Sequence, residues 1–254
     1  MEIKSPSFPN IDYGYWCQKN AYFADIPLIR SIKAGLSNAR KGGLIDAVLK
    51  SSDVKTNKDL VDLIESKITE YRSIEIFKDS DLLLIFDLIQ GWGGIAGRGP
   101  YTKPLGNPTR KALHETISKT YRESMSDCIS GDYPSALQKI KTIPYIGESF
   151  ATKHIYFWSR FGPGKKALPI YDTRIKTLLF LKISSAISYE MYVKSLNKKA
   201  EELSMHPTLV ESALFSFSLK YFQNGKLTIR RDVTDGVDFD EAKRLQALST
   251  FDAS

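Results

Sequence analysis

Residues 143–172 read IPYIGESFATKHIYFWSRFGPGKKALPIYD, and this stretch decides the fold that we predict for the chain. Pro144 and Gly147 supply the chemistry of a tight turn. In the run Glu148 to Arg160, apolar residues repeat with the spacing of one helical face: Phe150, Ala151, Ile155 and Trp158. The first amides of a helix lack carbonyl partners within it, and the helix dipole adds partial positive charge there. The turn therefore predicts an anion site that needs no Lys or Arg.

The same stretch resembles the helix-hairpin-helix of the base-excision DNA glycosylase superfamily, which includes endonuclease III, the mismatch adenine glycosylase and the oxoguanine glycosylases. The resemblance is carried by Pro144, Ile146, Gly147, Ser149 and Ala151, and by the run Leu168-Pro169-Ile170-Tyr171-Asp172. The family has a Pro-Gly-Val-Gly turn, a Lys or Ser two residues after the last Gly, an Ala two further on, and an Asp downstream. The resemblance implies an all-α, two-lobed helix-hairpin-helix glycosylase fold, closest to compact bacterial oxoguanine-type proteins without an iron–sulfur cluster.

Two positions depart from the family pattern. Tyr145 stands where the family usually has Gly, a residue chosen for backbone angles that others resist. Ser149 occupies the position of the nucleophilic Lys of bifunctional members. Monofunctional members also lack Lys there and hydrolyse the glycosidic bond with water. The resemblance therefore implies a monofunctional DNA glycosylase that contacts DNA through Tyr145, Ile146 and Gly147.

Asp172 is the candidate catalytic carboxylate. Cleaving a base from deoxyribose develops positive charge at the anomeric carbon, so the site needs a fixed negative charge beside the sugar. By position alone, Asp172 is more simply the N-cap of the next helix. The two roles are compatible, because members of the family place their catalytic Asp at a helix start. We predict that Asp172 positions the attacking water, and we count Ser149 among the catalytic positions.

Lys153 offers a different nucleophile. It lies four residues after Ser149, and a long side chain on a helix leans toward the N-terminus. Its amine could attack only if burial or nearby cations lowered its pKa, and a solvated Lys or a phosphate contact is the commoner use. A bifunctional glycosylase and AP lyase using Lys153 is the weaker alternative. The main alternative is a non-catalytic module of the same fold that binds DNA or a modified base.

A glycosylase extrudes its target base and needs a pocket that reads the base edge. Four aromatic residues are our candidates for this pocket: Trp92, Tyr101, Phe217 and Phe222. The first two lie in a glycine-dense stretch, residues 90–101, which we interpret as a loop and in which Arg98 would add a phosphate contact. The alternative for this stretch is a flexible surface turn.

Composition favours a polyanionic partner. The chain carries a formal net charge of +7, and the resemblance makes double-stranded DNA the expected partner. Lys165 and Lys166 add two possible phosphate contacts, although adjacent lysines are usually only solvated. Cys17 and Cys128 are too few for a four-thiolate cluster or a disulfide framework. The histidines have no metal-ligand spacing, so we predict neither a metal nor a cofactor.

The remaining sequence predicts helices. Apolar residues recur at helical spacing in residues 60–68, 109–128, 133–140, 175–181, 189–203 and 207–221. Residues 82–89 are apolar throughout, and their helical neighbours favour a helix over a strand. We expect the hairpin-bearing lobe at residues 81–172 and the second lobe at residues 1–80 with 173–254.

The predicted setting is the cytoplasm. No apolar run reaches the roughly 18 residues of a membrane span, and the first residues lack the features of a signal peptide. We therefore expect a cytoplasmic monomer that makes no contact with a membrane. Its predicted substrate is a damaged or modified base, a purine, removed in DNA repair or in antiviral defence against phages with modified DNA.

Overall fold

The computed structural model describes residues 6, 8–39, 44–73, 78–94, 110–179, 188–223 and 226–227. Its α-helices are α1 (Tyr13–Cys17), α2 (Arg30–Ala39), α3 (Ile45–Ser51), α4 (Asn57–Ser73), α5 (Asp79–Trp92), α6 (Arg110–Ser130), α7 (Tyr133–Ile140), α8 (Glu148–Ser159), α9 (Thr173–Leu179), α10 (Tyr189–Glu202) and α11 (Pro207–Tyr221). Short 3-10 helices span Ala21–Phe23 and Pro163–Lys165, and β1 (Phe222–Gln223) pairs antiparallel with β2 (Lys226–Leu227). The all-α prediction is confirmed. Within the described ranges, no helix is both long enough and apolar enough to cross a bilayer.

The chain divides into two compact units. Unit 1 comprises Met1–Asn20 and Pro169–Ser254, and unit 2 comprises Ala21–Leu168. These boundaries differ from the predicted lobes, because residues 21–80 group with the hairpin segment. The physical reason is that α2 and α4 both pack against α5. The apolar surface of residues 21–80 is thus buried within the same unit as the hairpin.

Helix α5 is the apolar helix of unit 2. It packs against α2, α4, α6 and α8. Its buried residues run from Leu82 to Trp92 with a single break at Leu84. A helix buried around most of its circumference shows no polar face, which is why periodicity alone did not separate helix from strand here. The helix favoured by the neighbouring segments is confirmed.

Glycines allow α2 and α5 to approach closely. A Cβ at Gly35 would lie 2.1 Å from the carbonyl oxygen of Gly91, and a Cβ at Gly91 would lie 2.6 Å from Leu36 Cδ2. Gly93 leaves room for the ring of Phe150, which would lie 2.4 Å from an added Cβ. Part of the glycine-dense stretch therefore serves helix packing, which contradicts its interpretation as a single loop. Residues 95–101 lie outside the described residues.

Unit 1 is closed by contacts between residues far apart in the chain. Helix α1 packs on α11, and so do α9 and α10. The rings of Trp16 and Phe217 meet edge to face at 5.5 Å between centroids. Asn20 Nδ2 donates to Ser212 Oγ at 3.1 Å across 192 positions of sequence. The first described helix thus completes a core whose other members come from α9 to α11.

Candidate functional site

Helices α7 and α8 are joined by a tight turn over residues 141–147. Asp132 caps the start of α7 by accepting a hydrogen bond from the backbone N–H of Ser135 at 3.2 Å. In the turn, the backbone N–H of Ile146 donates to the carbonyl of Ile143 at 3.1 Å. The carbonyl of Gly147 then accepts from the N–H of Ala151 at 2.9 Å and begins α8. Both helices lie where the sequence predicted them.

Tyr145 has the backbone conformation of a glycine. Its φ is +66°, in the left-handed region that costs other residues roughly 1–2 kcal/mol. This is the conformation for which a glycine was expected at position 145, and the tyrosine adopts it. The Tyr145 side chain is 44% exposed. The turn therefore combines a glycine-like backbone with an exposed aromatic ring.

The start of α8 is open. Gly147 is its N-cap, with φ −80°, and as a glycine it has no side chain with which to cap the helix. A Cβ on Gly147 would meet nothing within 4 Å. Glu148 places a carboxylate in the first turn, and the ammonium of Lys141 lies 3.9 Å from it, which offsets part of its charge. The side chain of Ile146 is buried, so this residue could meet DNA only through its backbone.

Ser149 and Lys153 lie together on α8. The ammonium of Lys153 donates to the carbonyl oxygen of Ser149 at 3.3 Å and to its Oγ at 3.1 Å. It also lies 4.7 Å from the centroid of the Phe150 ring. Although Lys153 is 6% exposed, its amine reaches one turn back along the helix, the direction expected for a long side chain. The amine thus lies beside the side chain of Ser149.

A buried polar network anchors α8. His154 Nε2 lies 2.9 Å from Gln90 Nε2, and its Nδ1 lies 2.9 Å from the hydroxyl of Tyr121, which accepts from Trp158 Nε1–H at 2.9 Å. Burial, and to a lesser extent the charge of Lys153, lowers the pKa of His154 to about 3, so the ring is neutral. Turning the Gln90 amide over would let its Oε1 accept from Nε2–H, while Tyr121 donates to Nδ1.

Asp172 belongs to unit 1 and caps α9. Its carbonyl oxygen accepts from the N–H of Lys176 at 2.9 Å, and its carboxylate Oδ1 accepts from the N–H of Arg174 at 3.0 Å. The residue is half-buried. The expected N-cap role is therefore observed. A carboxylate at a helix start interacts favourably with the helix dipole.

Two tyrosines of α10 hold the segment that precedes Asp172. The hydroxyl of Tyr189 donates to the carbonyl of Pro169 at 2.8 Å. The hydroxyl of Tyr192 donates to the carbonyl of Ile170 at 3.2 Å. Sequence reasoning missed both residues. Their spacing of three on one helix was the available signal, but nothing in it indicates which carbonyls they meet.

The proposed base-pocket residues fall in different surroundings. Trp92 is 1% exposed, and its indole N–H donates to the carbonyl of Tyr22 at 3.3 Å. Aromatic rings of unit 2 surround it: Tyr22, Phe23, Tyr156 and Phe157. Phe217 is fully buried in unit 1. Both rings are packed as core side chains in this structure. Tyr101 and the side chain of Phe222 lie outside the described part of the chain.

The basic loop residues are exposed. Lys165 ends the 3-10 helix Pro163–Lys165 and Lys166 follows it, and neither ammonium pairs with a carboxylate of another described residue. Arg98 lies outside the described residues. Across the ranges that the structure describes, no three His, Cys, Asp or Glu side chains are grouped so that they could hold a metal ion. Among the described residues, the candidates for a phosphate contact are thus these two lysines and the start of α8.

Comparison with known proteins gives one match. The model of the family described as "Putative 8-oxoguanine DNA glycosylase OGG-like protein" matches residues 67–215, more than half of the chain. No curated protein and no solved structure matches. The matched region runs from α4 into α11. It contains the turn between α7 and α8, the pair of Ser149 and Lys153, and Asp172.

Proposed function

We propose, because the chain belongs to this OGG-like 8-oxoguanine DNA glycosylase family, that it hydrolyses the N-glycosidic bond of a damaged or modified purine in double-stranded DNA. The observation that carries the proposal is the family match over residues 67–215, which contains the turn and the carboxylate that the chemistry needs. An oxidised purine such as 8-oxoguanine is the first substrate to test. DNA repair is the setting that the family favours.

The turn between α7 and α8 is the proposed DNA contact. Its support is the helix start at Gly147, where an added Cβ would meet no atom within 4 Å and where backbone amides and the helix dipole favour a phosphate. The carboxylate of Glu148 would repel a phosphate at this helix start, and the ammonium of Lys141 reduces that repulsion. Lys165 and Lys166 would add contacts that depend on salt. Tyr145, two residues before Gly147 and 44% exposed, would add an aromatic contact.

Asp172 is the proposed catalytic carboxylate, and water is the proposed nucleophile. As the bond between C1′ and the base nitrogen breaks, its electron pair leaves with the base and positive charge develops on the sugar. Asp172 stabilises that charge and orients the water, whose oxygen adds to C1′. The proton that this water releases passes to solvent, and the departing base takes up a proton in its place. Ser149 cannot form the Schiff base that a lysine forms. The expected product is therefore an intact strand with an abasic site.

Duplex oligonucleotides that carry 8-oxoguanine and a panel of other modified bases test this proposal. We expect strand cuts to appear only after hot alkali, and to disappear in Asp172→Asn. Asp132→Asn is the matched control, because Asp132 is also a helix N-cap and Asn caps a helix nearly as well. Binding without any abasic site, unchanged in Asp172→Asn, would instead indicate the non-catalytic module. A preference for a base found only in modified phage DNA would indicate the antiviral setting.

The position of Lys153 favours one second candidate, a bifunctional glycosylase and lyase. Its amine lies 3.1 Å from Oγ of Ser149, the residue that the resemblance aligns with the nucleophilic lysine of bifunctional glycosylases. Attack by this amine at C1′ would expel the base and form an imine that borohydride reduces to a stable adduct. Lys153→Met keeps the apolar stem and removes the amine. An adduct formed by the wild-type chain and lost in this variant would replace water with Lys153 as the nucleophile.

A further inference from the structure

We infer that Tyr189 and Tyr192 form a clamp that fixes the main chain leading into Asp172, and that both act as positioning residues for excision. The inference rests on the proposed function for its chemistry. The clamp itself lies within unit 1 and is defined by hydrogen bonds between α10 and residues 169–170.

The clamp supplies donors to carbonyls that secondary structure does not pair. Residues 166–172 are neither helix nor strand, and Pro169 and Ile170 are buried. Buried carbonyl groups need hydrogen-bond donors, and here the donors are the hydroxyls of Tyr189 and Tyr192, at 2.8 and 3.2 Å. Burial and then the charge of Glu211 raise the pKa of Tyr192 well above its ordinary value, so this hydroxyl keeps its proton.

Side-chain contacts hold the residue directly before Asp172. The ring of Tyr171 stacks on that of Tyr192 with centroids 4.4 Å apart and planes 18° from parallel. The ammonium of Lys176 lies 4.3 Å from the centroid of the same Tyr171 ring. On the other side, Asp172 is bound into the first turn of α9 through the N–H of Arg174. The carboxylate is therefore restrained from both directions along the chain.

Such restraint matters for a group that must meet charge developing at one carbon atom. A displacement of about 1 Å at a reacting centre can cost a hundredfold in rate. Removal of both hydroxyls leaves two buried carbonyls without these donors and lets the segment relax. We expect the single-turnover excision rate to fall between about tenfold and a hundredfold. The affinity for DNA should stay unchanged, because the proposed DNA contacts, the turn between α7 and α8 with Lys165 and Lys166, make none of the clamp's hydrogen bonds.

The test compares the double variant Tyr189→Phe with Tyr192→Phe against Tyr13→Phe. Tyr13 is a matched control, since its buried hydroxyl also donates to a proline carbonyl of unit 1, that of Pro9, at 2.8 Å. Three quantities are measured for each protein: the excision rate on an 8-oxoguanine duplex at saturating enzyme, the Kd for that duplex, and amide hydrogen exchange in the peptide that carries Arg174 and Lys176. If the double variant fails to fold, the two single variants replace it.

Slower excision with faster exchange in the clamp variant, at unchanged Kd and with Tyr13→Phe like the wild type, supports the inference. Excision as fast as in Tyr13→Phe overturns it. A wild-type chain that excises no base from the panel refutes the proposed function instead. In that case the amide hydrogen exchange still tests the clamp. Unaltered protection of the amides of Arg174 and Lys176 overturns the inference. Faster exchange in the clamp variant, but not in Tyr13→Phe, upholds the clamp as the anchor of Asp172.

Discussion

Acid should destabilise this protein through His154. The pKa of a histidine is about 6.5 in an unfolded chain, whereas burial lowers that of His154 to about 3 in the folded chain. Between these two values the unfolded chain binds a proton that the folded chain does not. The contribution of the neutral His154 ring to the free energy of unfolding is therefore fully present above pH 6.5 and is lost as the pH falls toward 3. The loss amounts to about 2 kcal/mol between pH 8 and pH 5, and to roughly 1.4 kcal/mol for each further pH unit.

The perturbation that isolates this effect is His154→Gln, measured by urea unfolding at pH 8, 6.5 and 5. The variant is expected to be less stable at pH 8, because it disturbs the hydrogen bonds to Gln90 and Tyr121. Between pH 8 and pH 5 it should lose about 2 kcal/mol less than the wild type. His206→Gln is the control, since His206 is exposed. Equal losses in wild type and His154→Gln would refute the reasoning, because the pKa of His154 would then not be lowered in the folded chain.

Three further predictions concern packing and DNA. Gly35→Ala puts a Cβ 2.1 Å from the carbonyl oxygen of Gly91, so urea unfolding should show a loss of about 2 kcal/mol or more; an unchanged midpoint would mean that α2 and α5 separate without cost. Gly147→Ala meets no atom within 4 Å and should keep its stability to within about 0.5 kcal/mol, yet weaken duplex binding in fluorescence anisotropy; unaltered affinity would argue against a phosphate at this turn. Lys165→Gln with Lys166→Gln should lower the salt slope of binding by about 2, and an unaltered slope would leave both lysines merely solvated.

The helices could be predicted from sequence because their signals are local. Residues 133–140 and the run Glu148 to Arg160 were predicted from the spacing of their apolar residues. The structure bounds α7 and α8 within one residue of these predicted ends. The direction of the Lys153 side chain was also predictable, since it depends on helix geometry alone. Asp172 could be placed at a helix start for the same reason.

Features that depend on which element packs on which could not be predicted. Gly91 looked like part of a loop because its partner, Gly35, comes from another helix. A tryptophan such as Trp92 looks the same in the sequence whether its ring stacks on a substrate or fills a core. Only the side chains around it distinguish these two roles. The carbonyl that Tyr189 meets lies 20 residues earlier in the chain, beyond any periodicity. Glycine-like geometry at Tyr145 was unexpected, because the side chain alone argues against a positive φ.

The bond between Asn20 and Ser212 has a consequence for synthesis on the ribosome. At roughly 5 to 20 residues per second, the 192 positions between the two residues correspond to roughly 10 to 40 s of translation. Throughout that interval Trp16 lacks the Phe217 ring against which it packs. Every residue of unit 2 is made meanwhile, since Ala21–Leu168 is contiguous. During synthesis, Trp16 of α1 thus lacks its packing partner while unit 2 already has all the residues that it needs to fold.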